Sequence, residues 1–262
     1  MTPGTAWLQA GRVRPWKAGT DREEQRMDST AQQGREQGGS RGLRRLGAAS
    51  GVAYLVVSAV GNGLATSGQP GVLASGEELL AWYKANTGPA VTVGIGLEFL
   101  GFAAFMFFLA YLYGVLRDAE GQGGWLATAA LGGGLVSVAV KLASYGSIWA
   151  AMARRDVLSA EAARTLTDLN SGAFFASWFT HGIFLVAVSA VVLQTGVLPR
   201  ILGWSGLVLG VGCIAAIMAP TAGPAVVPYL LSGLWLLAVS VVLLRRATRE
   251  PLPATQPALA GP

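Results

Sequence analysis

The sequence predicts an all-α polytopic membrane protein, a bundle of six transmembrane helices with short amphipathic helices on its outer surface. Of the 262 residues, 52% are hydrophobic and only 13% are charged, and the mean hydropathy is +0.49. Soluble domains carry about 25% charged residues and are less apolar on average. Six apolar segments, each close to the roughly 20 residues that cross a bilayer, account for the difference.

These segments divide the chain into an arm, a membrane domain and a tail. The membrane domain covers residues 46–244, with spans at 46–66, 89–116, 125–150, 172–194, 202–219 and 226–244. Residues 1–45 are polar and rich in Gly, Gln and Arg, which predicts a disordered basic cytoplasmic arm. Residues 245–262 predict a disordered cytoplasmic tail. Met27 offers a second start, and with it we expect that residues 1–26 are not translated natively.

The basic residues predict the orientation. With both termini in the cytoplasm, the cytoplasmic regions hold 14 basic residues and the outer loops hold four. This distribution follows the positive-inside rule, although Arg154 and Arg155 lie on the outer side. It also argues against nucleic acid as a partner, despite a net charge of +5 and a pI near 9.7. Sixteen Arg against three Lys, with abundant Ala and Gly, is typical of a high-GC bacterium, so we expect a bacterial plasma membrane.

Two outer loops predict short helices that lie on the membrane surface. Ser159 is a good N-cap for a helix over 159–170, and a second helix is expected over 77–86. Because Trp and Tyr prefer the membrane interface, we expect a structural role for Trp82 and Tyr83, with a lid over the polar residues below as the alternative. The apolar faces consist of Ala162, Leu166 and Leu169 in one helix, and of Leu79, Leu80, Trp82 and Tyr83 in the other.

Three ionisable residues lie within the otherwise uncharged second, third and fourth spans. They are Glu98, Lys141 and His181, the only histidine of the chain. At 1.5 Å per residue, each lies roughly 12–14 Å from the outer boundary. A charge inside the bilayer costs about 2.5–3.5 kcal/mol or more, so we expect all three to face the interior of the bundle.

Neighbouring polar residues enlarge this layer into a predicted pocket that opens toward the outer side. Gly94 and Gly101 flank Glu98 and leave room for a partner helix or for water. The second and third spans are joined by a short loop, which makes them antiparallel neighbours and favours an ion pair between Glu98 and Lys141. The predicted binding residues are Glu98, Lys141, His181, Tyr145, Ser177 and Asn62.

Three roles remain open for this layer. The first is structural, a satisfied Glu98–Lys141 ion pair that fixes helix register in a non-enzymatic membrane protein. The second is a site for a small molecule or an ion, including a proton-coupled transporter that uses Glu98, Lys141 and His181. The third is an intramembrane enzyme. These alternatives predict the bilayer and a small-molecule or ion ligand as partners.

The sequence gives little support to catalysis. Gly203-Trp-Ser-Gly206 matches the Gly-x-Ser-Gly signature of rhomboid proteases, yet Ser205 lies near the inner end of its span, far in depth from His181. A lone histidine cannot supply both axial ligands of a bis-His haem, and no spacing suits zinc. We therefore predict no catalytic residue, metal or cofactor.

Pairs of glycines one helical turn apart predict close packing between helices. They are Gly47 with Gly51 in the first span and Gly206 with Gly210 in the fifth. Such Gly-rich faces serve helix contacts within one chain and equally well between chains. A homo-oligomer formed through them is therefore one of the predicted partners.

Three stretches carry a resemblance to a known family. They are Gly61-Asn-Gly63, Leu198-Pro-Arg-Ile-Leu-Gly-Trp204, and Leu234-Trp235 with the closing Leu243-Leu-Arg-Arg246. On these stretches, residues 44–246 resemble the domain of unknown function 4386, an uncharacterised bacterial family of six-helix membrane proteins. The resemblance implies the six-helix fold. It implies no site residue, cofactor or substrate, because the family has no established activity.

Overall fold

The computed structural model describes residues 20–86, 88–218 and 223–249, and this part of the chain contains helices and no strand. The chain divides into two compact units, Met1–Gly42 and Leu43–Pro262. The helices are α1 (Thr20–Ala65), α2 (Gly76–Ala85), α3 (Pro89–Glu120), α4 (Trp125–Ala153), α5 (Ala160–Thr195), α6 (Arg200–Ala215) and α7 (Val227–Arg249), with short 3-10 helices at Ala216–Met218 and Gly223–Val226.

Six segments of the described chain are long and apolar enough to cross a membrane, which confirms the predicted all-α, six-helix class. All except α2 contribute one segment each. We use the name "α2 end" for the end of the bundle where α1 finishes, α3 begins and α2 lies. The segments are Arg41–Ala65, Pro89–Glu120, Trp125–Ala153, Ala160–Thr195, Arg200–Met218 and Pro224–Arg249.

Helix α1 begins well before the predicted first span. It starts at Thr20, inside the stretch whose composition predicts a disordered arm. Residues 20–65 contain no proline and many Glu, Gln and Arg, which are good helix formers, so no residue stops the helix there. Residues 245–249, predicted as tail, similarly continue α7. Residues 1–19 and 250–262, including most of the predicted tail, lie outside the described residues.

The two predicted surface helices differ in outcome. The helix expected over 77–86 is α2, and its N-terminus carries a capping box: Glu78 N donates to Ser75 Oγ at 3.2 Å, and Ser75 N donates to Glu78 Oε2 at 2.7 Å. The prediction of a separate helix over 159–170 was wrong. Ser159 does cap a helix, but that helix is α5, which continues unbroken through Asn170 into the membrane span. No proline interrupts this stretch, so the backbone ladder continues.

The buried face of the first part of α5 also differs from the prediction. Ala163 and Thr167 are buried, whereas Leu169 is 60% exposed. The reason is that α2 packs on this side of α5. The Tyr83 hydroxyl of α2 lies 3.0 Å from Thr167 Oγ1, and the Arg164 guanidinium donates to the carbonyl of Ala74 just before α2.

Glycines set the closest contacts between the spans. A Cβ at Gly61 of α1 would lie 2.8 Å from the backbone nitrogen of Glu98, and one at Gly94 of α3 would lie 2.7 Å from the carbonyl oxygen of Gly61. On α4, a Cβ at Gly133 would lie 2.8 Å from the backbone nitrogen of Phe184 in α5. Real Cβ atoms do not approach backbone so closely, so only glycine allows these helices to touch.

The two predicted glycine pairs also pack within the chain. Gly47 lies against the ring of Tyr111, and a Cβ at Gly51 would lie 2.2 Å from Ser240 Oγ of α7. Gly206 lies against Ser189 and Trp235, and Gly210 lies against the backbone of Gly182. These faces are therefore covered by neighbouring helices. The homo-oligomer predicted through Gly-rich helix faces stays a prediction.

The half of the bundle away from the α2 end is filled by apolar side chains. At the end of this half, the two carboxylate oxygens of Glu120 accept hydrogen bonds from the backbone N–H groups of Leu126 at 3.1 Å and of Ala127 at 2.9 Å. These amides belong to the first turn of α4, whose N-cap Gly124 has no side chain to satisfy them. The fully buried residues of this half include Phe105, Phe108, Leu109, Leu112, Leu116, Val188, Val191 and Val192.

Candidate functional site

A cavity of about 680 Å³ lies in the half of the bundle toward the α2 end. Its wall comes from α1, α3, α4, α5 and α7, and Trp82 adds a contact from α2. Most of the wall is apolar, and its polar side chains include Glu98, Lys141 and His181. The close contacts of α1 with α3 and of α4 with α5 fix the positions of the helices that surround the cavity.

Five of the six predicted site residues line this cavity. Glu98, Lys141 and His181 are enclosed, with exposed fractions of 5%, 2% and 1%. Tyr145 lines the cavity beside them, and the more exposed Asn62 lies on α1. The structure therefore brings together three helices whose ionisable residues are separated by about 40 positions each in the sequence.

The sixth predicted residue, Ser177, does not line the cavity. It is fully buried between α4 and α5, where its hydroxyl donates to the carbonyl of Phe174 at 2.6 Å. Its own carbonyl accepts from Ser137 Oγ of α4 at 3.2 Å. Helical spacing correctly placed Ser177 near the face of His181, but the close approach of α4 turns it into a packing contact.

The predicted ion pair between Glu98 and Lys141 is not formed. Within the described chain, no carboxylate oxygen lies within 4.0 Å of Lys141 Nζ. The two charges still interact across the cavity. Glu98 lies on the α1 side, where the Ser58 hydroxyl approaches it but makes no hydrogen bond. Acid and base therefore occupy the same cavity without neutralising each other by direct contact.

The Lys141 ammonium has an aromatic neighbour instead of an anionic one. Its Nζ lies 4.9 Å from the centre of the Tyr229 ring, in cation–π geometry. Such a contact is worth about 0.5–2 kcal/mol, less than the cost of placing an ammonium among apolar side chains. The ring supplies no lone pair to any of the three ammonium protons, so their hydrogen-bonding capacity remains.

His181 is oriented by α7. Its Nε2 lies 2.9 Å from Ser232 Oγ, and Ser232 Oγ donates its proton to the carbonyl of Tyr229 at 2.6 Å. A hydroxyl has a single proton and a carbonyl can only accept, so His181 Nε2–H must donate to Ser232. In a neutral imidazole, which carries one proton, Nδ1 is then unprotonated. It has no hydrogen-bond partner in the described part of the chain.

Among the cavity residues, Tyr54, Tyr229 and Ser232 were not predicted from the sequence. Tyr229 and Ser232 lie three apart on the sixth span, and Trp178 stacks on Tyr229 with ring centres 5.2 Å apart. Tyr54 of α1 stacks on Phe105 at 4.5 Å and approaches the Tyr229 hydroxyl. Tyr and Ser at helical spacing were the available signal. They carry no charge, so they do not stand out in a hydrophobic span.

Some polar atoms of the cavity residues have no partner among the described residues. They are Ser58 Oγ, Trp178 Nε1 and His181 Nδ1, all of them buried. A buried polar group without a hydrogen bond costs about 1–3 kcal/mol. Ser189 Oγ and Ser240 Oγ of the packed half also lack partners among the described residues, so the feature that distinguishes the cavity is the Lys141 ammonium in its wall.

Helix α2 covers the cavity at one end. Trp82 lines the cavity, and its Nε1 donates to the carbonyl of Ser67 at 3.0 Å. Thr167 donates its own proton to the carbonyl of Ala163, so the Tyr83 hydroxyl is the donor to Thr167. Burial raises the pKa of Tyr83, which keeps that hydroxyl protonated. The structural role and the covering role expected for these aromatic residues thus occur together.

The Gly-x-Ser-Gly match at Gly203–Gly206 does not form a serine–histidine pair in the structure. The Ser205 hydroxyl donates to the carbonyl of Ile201 in its own helix at 2.7 Å. It faces an apolar groove between α6 and α7 instead of the cavity that holds His181. Among the residues that the structure describes, no group of three His, Cys, Asp or Glu is placed to hold a metal ion.

Comparison with models of protein families, with curated proteins and with solved structures found no match to this chain. The site must therefore be interpreted from its own chemistry.

The hydrogen bonds around His181 predict its tautomer. Because the chain has one histidine, selective ¹⁵N-histidine labelling gives a single imidazole. We expect a protonated Nε2 and an unprotonated Nδ1 at neutral pH. Replacing Ser232 by Ala should shift the Nε2 resonance, whereas Ser240→Ala, on the same helix but outside the cavity, should leave it unchanged. A protonated Nδ1 with a bare Nε2 would contradict the assignment.

Proposed function

We propose that this protein binds a small molecule inside its membrane domain, in the cavity that holds Glu98, Lys141 and His181. The observation that carries the proposal is the ammonium of Lys141, which lies in the cavity wall with no anionic partner in the described chain. A purely structural lysine at this depth would be paired, because an unpaired charge destabilises the fold.

The polar groups define the chemistry of the ligand. Lys141 offers hydrogen-bond donors and positive charge, and Glu98 offers acceptors in the same cavity. His181 and Trp178 line the same cavity, but their unpartnered nitrogens have almost no accessible surface, so Lys141 and Glu98 define the polar part of the ligand. A ligand that matches this set carries an acceptor group, such as a carboxylate or a phosphate, together with a donor group, such as an ammonium or a hydroxyl.

The rest of the cavity supports an apolar part in the same ligand. Binding sites for small molecules usually measure about 300–1,000 Å³ and are lined mainly by hydrophobic and aromatic residues. The cavity, at about 680 Å³, falls inside this range. Aromatic side chains surround the polar layer: Tyr54, Phe102, Phe174, Phe175, Trp178 and Tyr229.

Transport and catalysis receive less support. Alternating access needs a route from the cavity to the opposite end, and the well-packed apolar core around Phe108 and Val188 fills that half. Catalysis needs a nucleophile or an oriented acid–base pair, and His181 is engaged with Ser232 alone. Proton-coupled transport through Glu98, Lys141 and His181 therefore remains a sequence-based alternative.

We also propose that the protein belongs to a bacterial plasma membrane with both termini in the cytoplasm, as an integral protein similar to the domain of unknown function 4386. The excess of basic residues at the end opposite α2 supports this orientation. The last turn of α7 alone contributes Arg246 and Arg249. The cavity then lies in the outer half of the membrane.

The binding proposal predicts a co-purifying molecule. Native mass spectrometry of the full chain, extracted in a mild detergent, should show a bound mass of a few hundred daltons on the wild type. Lys141→Met should reduce its occupancy about tenfold, because the acceptor group of the ligand loses its charged partner. Lys84→Met is the matched control, since Lys84 is exposed on α2 and outside the cavity. Equal occupancy in all three proteins, or no bound mass on the wild type, would oppose the proposal.

The orientation has its own test. A fluorescent protein fused after Pro262 should fluoresce in cells, and alkaline phosphatase at the same position should be inactive, because the basic end stays in the cytoplasm. Phosphatase fused after Gly71, between α1 and α2, should be active. The opposite pattern at the two positions would place the cavity in the cytoplasmic half.

A further inference from the structure

Helices α1 and α7 meet without an intervening side chain at Gly51, and on the cavity side the Tyr54 and Tyr229 hydroxyls approach each other. At Gly51, a Cβ would lie 2.2 Å from Ser240 Oγ. Closer to the α2 end, a Cβ at Gly233 of α7 would meet α1 only at Leu55 Cδ2, 3.7 Å away. The contact thus loosens over two helical turns of α7.

Beyond Leu55, each of the two helices carries an apolar residue that both lines the cavity and is exposed. Ala59 of α1 and Leu230 of α7 both line the cavity, and both are exposed on the outside of the bundle, Leu230 by 61%. A residue that is both exposed and part of the cavity wall marks an opening. These two are apolar and lie inside membrane-spanning segments, so this opening faces hydrocarbon.

The contact of α1 with α3 explains why the gap exists. A Cβ at Gly101 of α3 would lie 2.2 Å from Ser58 Oγ, and Gly61 and Gly94 bring the two backbones together one turn further on. Helix α1 is therefore held against α3 on one side of the cavity. Because α1 is held there, it cannot also pack against α7 toward the α2 end.

We propose that the gap between α1 and α7 is a side entrance from the bilayer, and that the ligand is a single-chain amphiphile with a zwitterionic head. This rests on the proposed binding function. The head places its anionic group on Lys141 and its cationic group on Glu98. The apolar chain leaves between Ala59 and Leu230 into the membrane.

A second opening separates this proposal from entry by a soluble molecule. Asn62, Thr66 and Val72 line the cavity near the α2 end and are exposed as well. Their surroundings are more polar, and the covering segment there is fixed by the Trp82–Ser67 hydrogen bond. A water-soluble ligand would use that opening, whereas an amphiphile needs the apolar gap.

The test uses two probes with the same head. One is a monoacyl glycerophosphoethanolamine whose oleoyl chain carries a photoreactive group and an alkyne. The other is the same head without the chain, water-soluble glycerophosphoethanolamine. The full chain is reconstituted in phosphatidylcholine nanodiscs, and photolabelling of α1, α5 and α7 peptides is followed with time. We expect labelling of the wild type, a roughly tenfold loss in Lys141→Met, and little competition by the soluble head.

Closing the gap tests the route. Ala59→Trp should slow labelling about tenfold, whereas the adjacent Val60→Trp should not, because Val60 is exposed to lipid but does not line the cavity. Val72→Trp, at the other opening, should slow labelling much less than Ala59→Trp does. Normal labelling of Ala59→Trp with slow labelling of Val72→Trp would overturn the side entrance and leave the binding function intact. Equal labelling of wild type and Lys141→Met would overturn the zwitterionic ligand, and the co-purification experiment then decides on binding itself.

Discussion

A charged side chain cannot face hydrocarbon without a large cost, and this constraint organises the central part of the bundle. Glu98, Lys141 and His181 lie on three helices that must turn the same layer inward. Glycine makes this arrangement compact on two sides, because backbone contacts at Gly61 and Gly133 hold α1 on α3 and α4 on α5. The polar side chains are then enclosed by aromatic rings and do not collapse onto one another.

The enclosure differs from a self-satisfied ion pair. Lys141 lies over the Tyr229 ring, and Glu98 lies toward α1, with no salt bridge between them in the described chain. The same α7 segment that supplies Tyr229 also supplies Ser232, which fixes the His181 tautomer. One turn of α7 thus determines the environment of both the base and the imidazole. This is why a helix without any charge in its apolar span contributes so much to the site.

Hydropathy and charge placement were sufficient to predict the six spans, and five of the six proposed site residues line one cavity. Other features depend on tertiary packing. Ser177 has the right spacing but is covered by α4, and the continuation of α5 through Asn170 depends on support from α2. Tyr54 and Tyr229 were not predicted because an uncharged aromatic residue in an apolar span has many ordinary packing roles. The gap between α1 and α7 has no sequence signature at all, since it follows from where the glycines of three helices meet.

The central claim is that the Lys141 ammonium binds a ligand and does not form an ion pair with Glu98. The most direct measurement is a side-chain-resolution reconstruction of the full chain in lipid nanodiscs, together with the same reconstruction of Lys141→Met. The account predicts non-protein density in contact with Lys141 Nζ, with every Glu98 oxygen more than 4.0 Å away as in the present structure, and loss of that density in the variant. A direct Glu98–Lys141 salt bridge in a closed cavity, without additional density, would contradict it.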